Sequence, residues 1–294
     1  MVRFDERGIA KSSGNFSSAS DVDFAEDILA GIDFARAHSV TFQVTNVGVI
    51  GHSKGAATAL ITANMSNLVK FLVFLGGPAL TGESILYMQT RLILKADNHS
   101  DAYIEKIIDV NRGVYQILKR ESDVNRIRAE FIIYFDNLVA TSHDQADKDF
   151  YTEVKGSTLA QIDGISTPWF RSFLVFDPKN ILEKTKIPIL GLWGSNDLQV
   201  PAKENRDEML KALEIAKNDF FKLEILTGLN HLFQESTTGS PSEYEKIEET
   251  FSTEALGMMS DWILNEKNIG SSNAVSFAFN LVFMCLISLI VNIY

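Results

Sequence analysis

Cysteine is almost absent from this chain: Cys285 is the single one in 294 residues, so neither a disulfide framework nor a cysteine metal cluster can form within it. Metal-binding histidine patterns are missing as well. His38, His99 and His143 stand isolated, and no H-E-x-x-H run or paired-histidine spacing occurs. Positive charge is in deficit, with 27 Lys and Arg against 38 Asp and Glu and a net charge of −11, which argues against a nucleic-acid partner because phosphate neutralisation needs a basic stripe. A solvated acidic surface accounts for all of that charge. Gly48, Gly51 and Gly55 match neither a dinucleotide nor a phosphate-loop spacing, so no cofactor is expected. No internal repeat or low-complexity tract is present, and 46% hydrophobic with 22% charged residues suffices for one large α/β domain.

What is present is organised around Asn46–Thr62, NVGVIGHSKGAATALIT. Val47–Ile50 reads as a buried strand and Ala56–Ala63 as a helix, with Gly51-His52-Ser53-Lys54-Gly55 as the turn between them. A serine in a tight strand-to-helix turn needs glycine neighbours where the backbone doubles back. The turn lifts Ser53 Oγ clear of the sheet and places the Lys54 backbone N–H at a helix N-terminus, where a developing oxyanion is stabilised.

From the start of the chain, Val2–Phe4 reads as a short strand ending in the turn Asp5–Gly8, and a polar loop follows to Ser20. Asp21 is then expected to cap an amphipathic helix with Phe24, Ala25, Ile28, Leu29 and Ile32 on its apolar face. After the elbow, Val69–Leu75 is a continuous apolar run of the kind a parallel strand covered on both faces carries. Helical patterns then dominate from about residue 81 to 165, read as a helical cap. Strand signals resume at Ile187–Trp193, before Gly194-Ser195-Asn196-Asp197, and at Phe221–Leu226, before Thr227-Gly228-Leu229-Asn230-His231. Both loops follow strand C-terminal ends, where ligands and reacting groups collect in open α/β sheets. A last helix spans Thr253–Asn265, with Leu256, Met259, Trp262 and Ile263 as its apolar stripe.

Ser53, Asp197 and His231 thus follow one another in the order serine, acid, histidine, each at the end of a strand. The chemistry needs each type: a weak hydroxyl nucleophile, a base to take its proton, and a carboxylate to hold the imidazole tautomer. Trp169, Phe170 and Phe173 could line an acyl pocket where the helical segment returns, or pack as core, and His52 reads as a wall of the site or as a group just behind it.

The segments Phe4–Phe16, Gly51–Gly55, Gly76–Pro78, Thr167–Phe170, Gly194–Asp197 and Gly228–Phe233 resemble bacterial α/β-hydrolase esterases of the serine aminopeptidase-like family, over Val2 to about Lys267. The resemblance implies an α/β-hydrolase fold, a mostly parallel sheet flanked by helices with a helical cap insertion. It implies hydrolysis of small carboxylic esters through an acyl-enzyme, with Ser53, Asp197 and His231 as triad and the Lys54 N–H as oxyanion donor. Thioesterase, amidase or aminopeptidase activity on the same triad is the near alternative, and a non-catalytic hydrolase-fold protein the distant one. Relatives often carry an acidic or uncharged residue at the position of Lys54 and a glycine at that of Ala56; a backbone donor tolerates the first change.

Two departures are larger. In the family, Arg3–Asp5 corresponds to the fourth strand of eight, so three strands and the loop with the second oxyanion donor would precede Met1. Either the chain is an incomplete reading of a longer gene or it has reorganised its sheet, and the intact motifs favour the first. The edges of Val2–Phe4 and Val47–Ile50 would then be open to non-native pairing. The second departure is the charge-free run Ala274–Tyr294 within a tail of residues 268–294. As a helix it would span about 30 Å, enough for a bilayer core. A membrane anchor, an apolar helix packed on the sheet and non-native sequence are its three readings. The expected partner is a small-molecule ester, with membrane association open through 274–294, and no compartment is indicated.

Overall fold

The computed structural model describes residues 2–38 and 46–265, together with the backbone of 282–288. Helix α1 (Asp21–Ala37) precedes the first strand and buries Phe24, Ala25, Ile28 and Ile32. Its N-cap is Ser20, not Asp21: Ser20 and Asp23 form a capping box, with the Asp23 N–H donating to Ser20 Oγ and the Ser20 N–H donating to Asp23 Oδ2 at 2.7 Å. Asp21 therefore starts the helix proper and is free to pair elsewhere.

Strand β1 (Val47–Ser53) runs directly into α2 (Lys54–Met65), and β2 (Val69–Leu75) follows. Between β2 and the next strand lie seven helices: α3 (Gly82–Ala96), α4 (Asp101–Arg120), α5 (Val124–Thr141), α6 (Gln145–Ala160), α7 (Ile162–Ile165), α8 (Pro168–Val175) and α9 (Lys179–Leu182). Then come β3 (Ile189–Gly194), α10 (Ala202–Ala216), β4 (Phe221–Leu226), a 3-10 turn (Pro241–Lys246) and α11 (Thr253–Leu264). The helical insertion thus begins where the sequence places it and runs past residue 165 through α8.

The five described strands form one sheet in the order β4-β3-β2-β1-β5, every neighbouring pair parallel. Side chains alternate across it, as the two-residue strand period requires. Leu72, Phe74, Ile189 and Trp193 join Ile28, Ile32 and Leu60 on one face, while Phe71, Val73, Leu190 and Leu192 meet Met259 and Trp262 of α11 on the other. The first of these cores continues without a break into the insertion, through Leu86, Val114, Phe131 and Phe170. Leu256 does not belong to the buried stripe of α11 and stands 48% exposed.

Two expectations are corrected at the edges of the sheet. Val2–Phe4 is not a strand: among the described residues it has no neighbouring ladder, and three residues alone cannot hold an extended pairing. Phe4 packs against the core, and Arg7 anchors the segment by donating to both carboxylate oxygens of Asp27, at 2.6 and 2.7 Å. The apolar tail contributes a strand and not a helix over β5 (Val282–Ser288), which pairs in parallel with β1 from Val47↔Val282 to Ser53↔Ser288. The outer edge of β1, expected to be open, is covered by it. The other residues of the tail lie outside the described ones. Among the described residues no helix is long and apolar enough to cross a membrane.

Candidate active site

The end of β1 is built for close approach. A Cβ on Gly51 would stand 2.3 Å from the Gly55 carbonyl oxygen and 2.5 Å from the Ala56 Cα, so only glycine lets the strand end lie this near the start of α2. Ser53 sits at the apex with φ 55° and ψ −127°, a conformation that a non-glycine residue holds only when its surroundings impose it. The sharp strand-to-helix turn expected from the glycine spacing is present. Lys54 is the first residue of α2, so its N–H is among the donors that a helix leaves without an internal partner.

Asp197 and His231 come from the loops after β3 and β4 and meet directly. The His231 Nδ1 is 2.8 Å from Asp197 Oδ2, and both side chains are almost wholly buried. The Gln199 and Val200 N–H groups donate to the other oxygen, Oδ1, at 2.8 Å each. With the carboxylate only able to accept, Nδ1 carries the imidazole proton and Nε2 presents a lone pair. That Nε2 has no hydrogen-bond partner, and neither does Ser53 Oγ. The structure therefore brings Asp197 and His231 together and leaves Ser53 unbonded to the imidazole.

The loops are held by their own amides. Asn230 Oδ1 accepts from the Leu232 N–H at 2.9 Å and the Gln234 N–H at 3.0 Å, and Asn196 Nδ2 donates to the Ser236 carbonyl at 2.9 Å, tying the two loops to each other. Gly76, at φ 55°, is the floor of the pair: a Cβ there would lie 3.2 Å from His231 Nδ1 and 3.3 Å from Asp197 Oδ2. Trp193 donates its indole N–H to the Gly77 carbonyl at 2.9 Å and fixes that loop.

His52 braces the backbone of His231. Its Nε2 donates to the His231 carbonyl at 2.7 Å, and the two rings lie 4.7 Å apart. Burial, and next the neighbouring His231 ring, push its pKa down to about 3, so it stays neutral. The Trp169 ring lies 4.8 Å from Lys54 Nζ, and its centroid is 5.7 Å from that of Phe16, with the two rings tilted. Phe170 does line a cavity, within the helical insertion, and Phe173 is core.

The feature sequence reasoning missed is a buried ion pair between Lys54 Nζ and Asp21 Oδ1, beside the elbow. Burial pushes the Lys54 pKa down, and Asp21, with Glu6 beyond it, opposes that push. The pair joins residues 33 positions apart, and its only sequence signal was an acid at the start of α1. Among the described residues no cluster of His, Cys, Asp and Glu could hold a metal ion.

Comparison with protein-family models matches residues 29–153, less than half of the chain, to the family described as BAAT / acyl-CoA thioester hydrolase C terminal. That span includes Ser53 and stops short of Asp197 and His231. Comparison with curated proteins gives no match. Among solved structures, the chain is similar to an esterase from Exiguobacterium antarcticum, at 19% identity, over 87% of this chain and 80% of that one, with a TM-score of 0.43. It is also similar to a bromoperoxidase from Bacillus anthracis, at 17% identity over 87% and 80%, TM-score 0.43. A third is a thermophilic esterase from Thermogutta terrifontis, at 14% identity over 90% and 78%, TM-score 0.43.

Proposed function

We propose that this protein is a serine hydrolase that cleaves carboxylic esters or thioesters through an acyl-enzyme on Ser53. The observation that carries the reading is an imidazole fixed by a buried carboxylate, with its free basic nitrogen and a partnerless serine hydroxyl both at the C-terminal end of one sheet. The Ser53 Oγ would attack the acyl carbon as His231 Nε2 takes its proton. The oxyanion would form against the Lys54 N–H and the positive end of α2. Collapse would expel the alkoxide or thiolate with the proton returned from His231, and water would then release the acid by the same steps. Asp197 keeps the imidazole in the required tautomer and favours its cation. The Ser53–His231 hydrogen bond is not formed here, and catalytic hydrogen bonds of this kind often tighten only once substrate binds.

The thioester arm of this reading rests on the family-model match over residues 29–153. The helical insertion, α3 to α8, would act as the cap over the site. The test is labelling by a fluorophosphonate probe, read by peptide mapping, with parallel assays of 4-nitrophenyl butyrate and a butyryl thioester. Labelling at Ser53 with turnover of either substrate supports the reading; labelling that survives Ser53→Ala overturns it.

A further inference from the structure

Strand β4 ends the sheet on the side away from β5, and among the described residues nothing pairs with its outer edge. The phase of that edge follows from its other side. The Ile189 N–H donates to the Phe220 carbonyl at 2.9 Å and the Ser195 N–H to the Leu226 carbonyl at 2.8 Å. The even-numbered residues of the strand therefore face β3, and the N–H and C=O groups of Phe221, Leu223 and Ile225 point outward. Such a row of unpaired backbone groups is a template for another strand. The side chains along it are symmetric about Leu223: Phe221 and Ile225 share its face of the sheet, while Lys222 and Glu224 stand on the other. Lys222 and Glu224 lie 3.8 Å apart, an exposed pair worth little within one strand, so both charges remain available to a neighbour. Apolar surface flanks the edge as well. Phe220 is 52% exposed, and α10, which packs against β4, carries Ile215 at 61%.

We propose that the outer edge of β4 is a homodimer interface, in which the β4 strands of two copies pair antiparallel about a two-fold axis at Leu223. Leu223 then opposes the partner's Leu223, Phe221 opposes the partner's Ile225, and Lys222 opposes the partner's Glu224, the last two contacts occurring twice by symmetry. Each odd-numbered pair exchanges two backbone hydrogen bonds, because its groups already point outward. An edge lysine ordinarily deters an incoming strand, but here it meets a carboxylate. An axis at Lys222 or at Glu224 would set a charge against its own copy, so the charges select the register. The two-fold closes the free edge of both copies and leaves none for a third. No group assigned to catalysis lies on β4, so the interface stands or falls independently of the function assigned above.

The experiment is sedimentation equilibrium of the full-length protein and of charge variants on β4. The unaltered chain forms a dimer. Lys222→Glu alone and Glu224→Lys alone each set like charges face to face in both symmetry-related pairs, and each weakens the dimer about tenfold. Mixing the two variants restores association to within about twofold of the unaltered protein, because the acids of one then face the lysines of the other. Misfolded variants would not recover in this way. A second measurement needs no variant: in the unaltered chain, hydrogen exchange at the Phe221, Leu223 and Ile225 amides slows with rising protein concentration more than at the Lys222 and Glu224 amides, which already bond to β3. A monomer at every soluble concentration, a dimer indifferent to both single charge changes, failure of the folded variants to associate with each other, or exchange along β4 that ignores concentration each overturns the proposal.

Discussion

Two buried polar assemblies flank Ser53, and they are satisfied to different degrees. On one side the Asp197 carboxylate is saturated by two backbone N–H groups and an imidazole, yet the imidazole keeps Nε2 without a partner. On the other, Lys54 and Asp21 neutralise each other in the core, with the Trp169 ring against the ammonium. The first holds its imidazole in place and leaves one ring nitrogen without a partner. The second is closed on itself, and it keeps α1 and the start of α2 in register. An open valence inside a rigid frame is what chemistry requires, whereas a closed pair beside it is a structural device.

The comparison breaks if both assemblies respond alike to substitution. The largest expected effect belongs to the open one: Ser53→Ala or His231→Ala lowers ester turnover by about 10⁴–10⁶-fold with little change in thermal stability, and the double variant is no worse than either. Steady-state kinetics and thermal denaturation check this together. The closed pair is expected to do the reverse. Asp21→Leu leaves a buried ammonium without its partner and destabilises the fold by about 3–5 kcal/mol, and adding Lys54→Met recovers most of that loss in urea titrations. Recovery is the sharper result, because it separates a structural pair from a catalytic lysine.

Strand β5 allows a third comparison, since Ser53, which both assemblies flank, ends the strand it covers. Removing residues 266–294 unpairs the outer edge of β1 and costs a few kcal/mol, at about 1 kcal/mol net per ladder hydrogen bond. Hydrogen exchange of the β1 amides then quickens while that of β3 and β4 changes less. Unchanged protection of β1 would show that the edge is held by something else.

The smallest effect concerns His52, whose pKa is lowered to about 3 by burial and by His231. An unfolded histidine titrates near 6.5, so the unfolded state binds the proton first and His52 lends stability above pH 6.5 that is lost progressively as pH falls towards 3. His52→Gln, which keeps a donor for the His231 carbonyl, reduces the slope of stability against pH in that window by up to about 1.4 kcal/mol per unit. Identical slopes for the two proteins would mean that His52 is protonated in the fold.

The amino-acid sequence by itself determined the features that are local in space as well as along the chain. Gly51 and Gly55 around Ser53 demand a close strand-to-helix approach, and the apolar run Phe71–Leu75 suits a strand buried on both faces. The order of Ser53, Asp197 and His231 was legible for the same reason, because each ends its own strand and parallel strands deliver their ends to one edge. Tertiary structure decided what depends on a distant partner. Asp21 looks like a helix cap until α1 packs against α2 and presents it to Lys54. Val2–Phe4 has strand-like residues but pairs with no strand among the described residues. The run Val282–Ser288 is equally apolar as a helix or a strand, and its pairing came from the free edge of β1. Propensity is a property of a segment, while hydrogen-bond partners and burial belong to the assembled sheet, and here the partners outweighed the pattern.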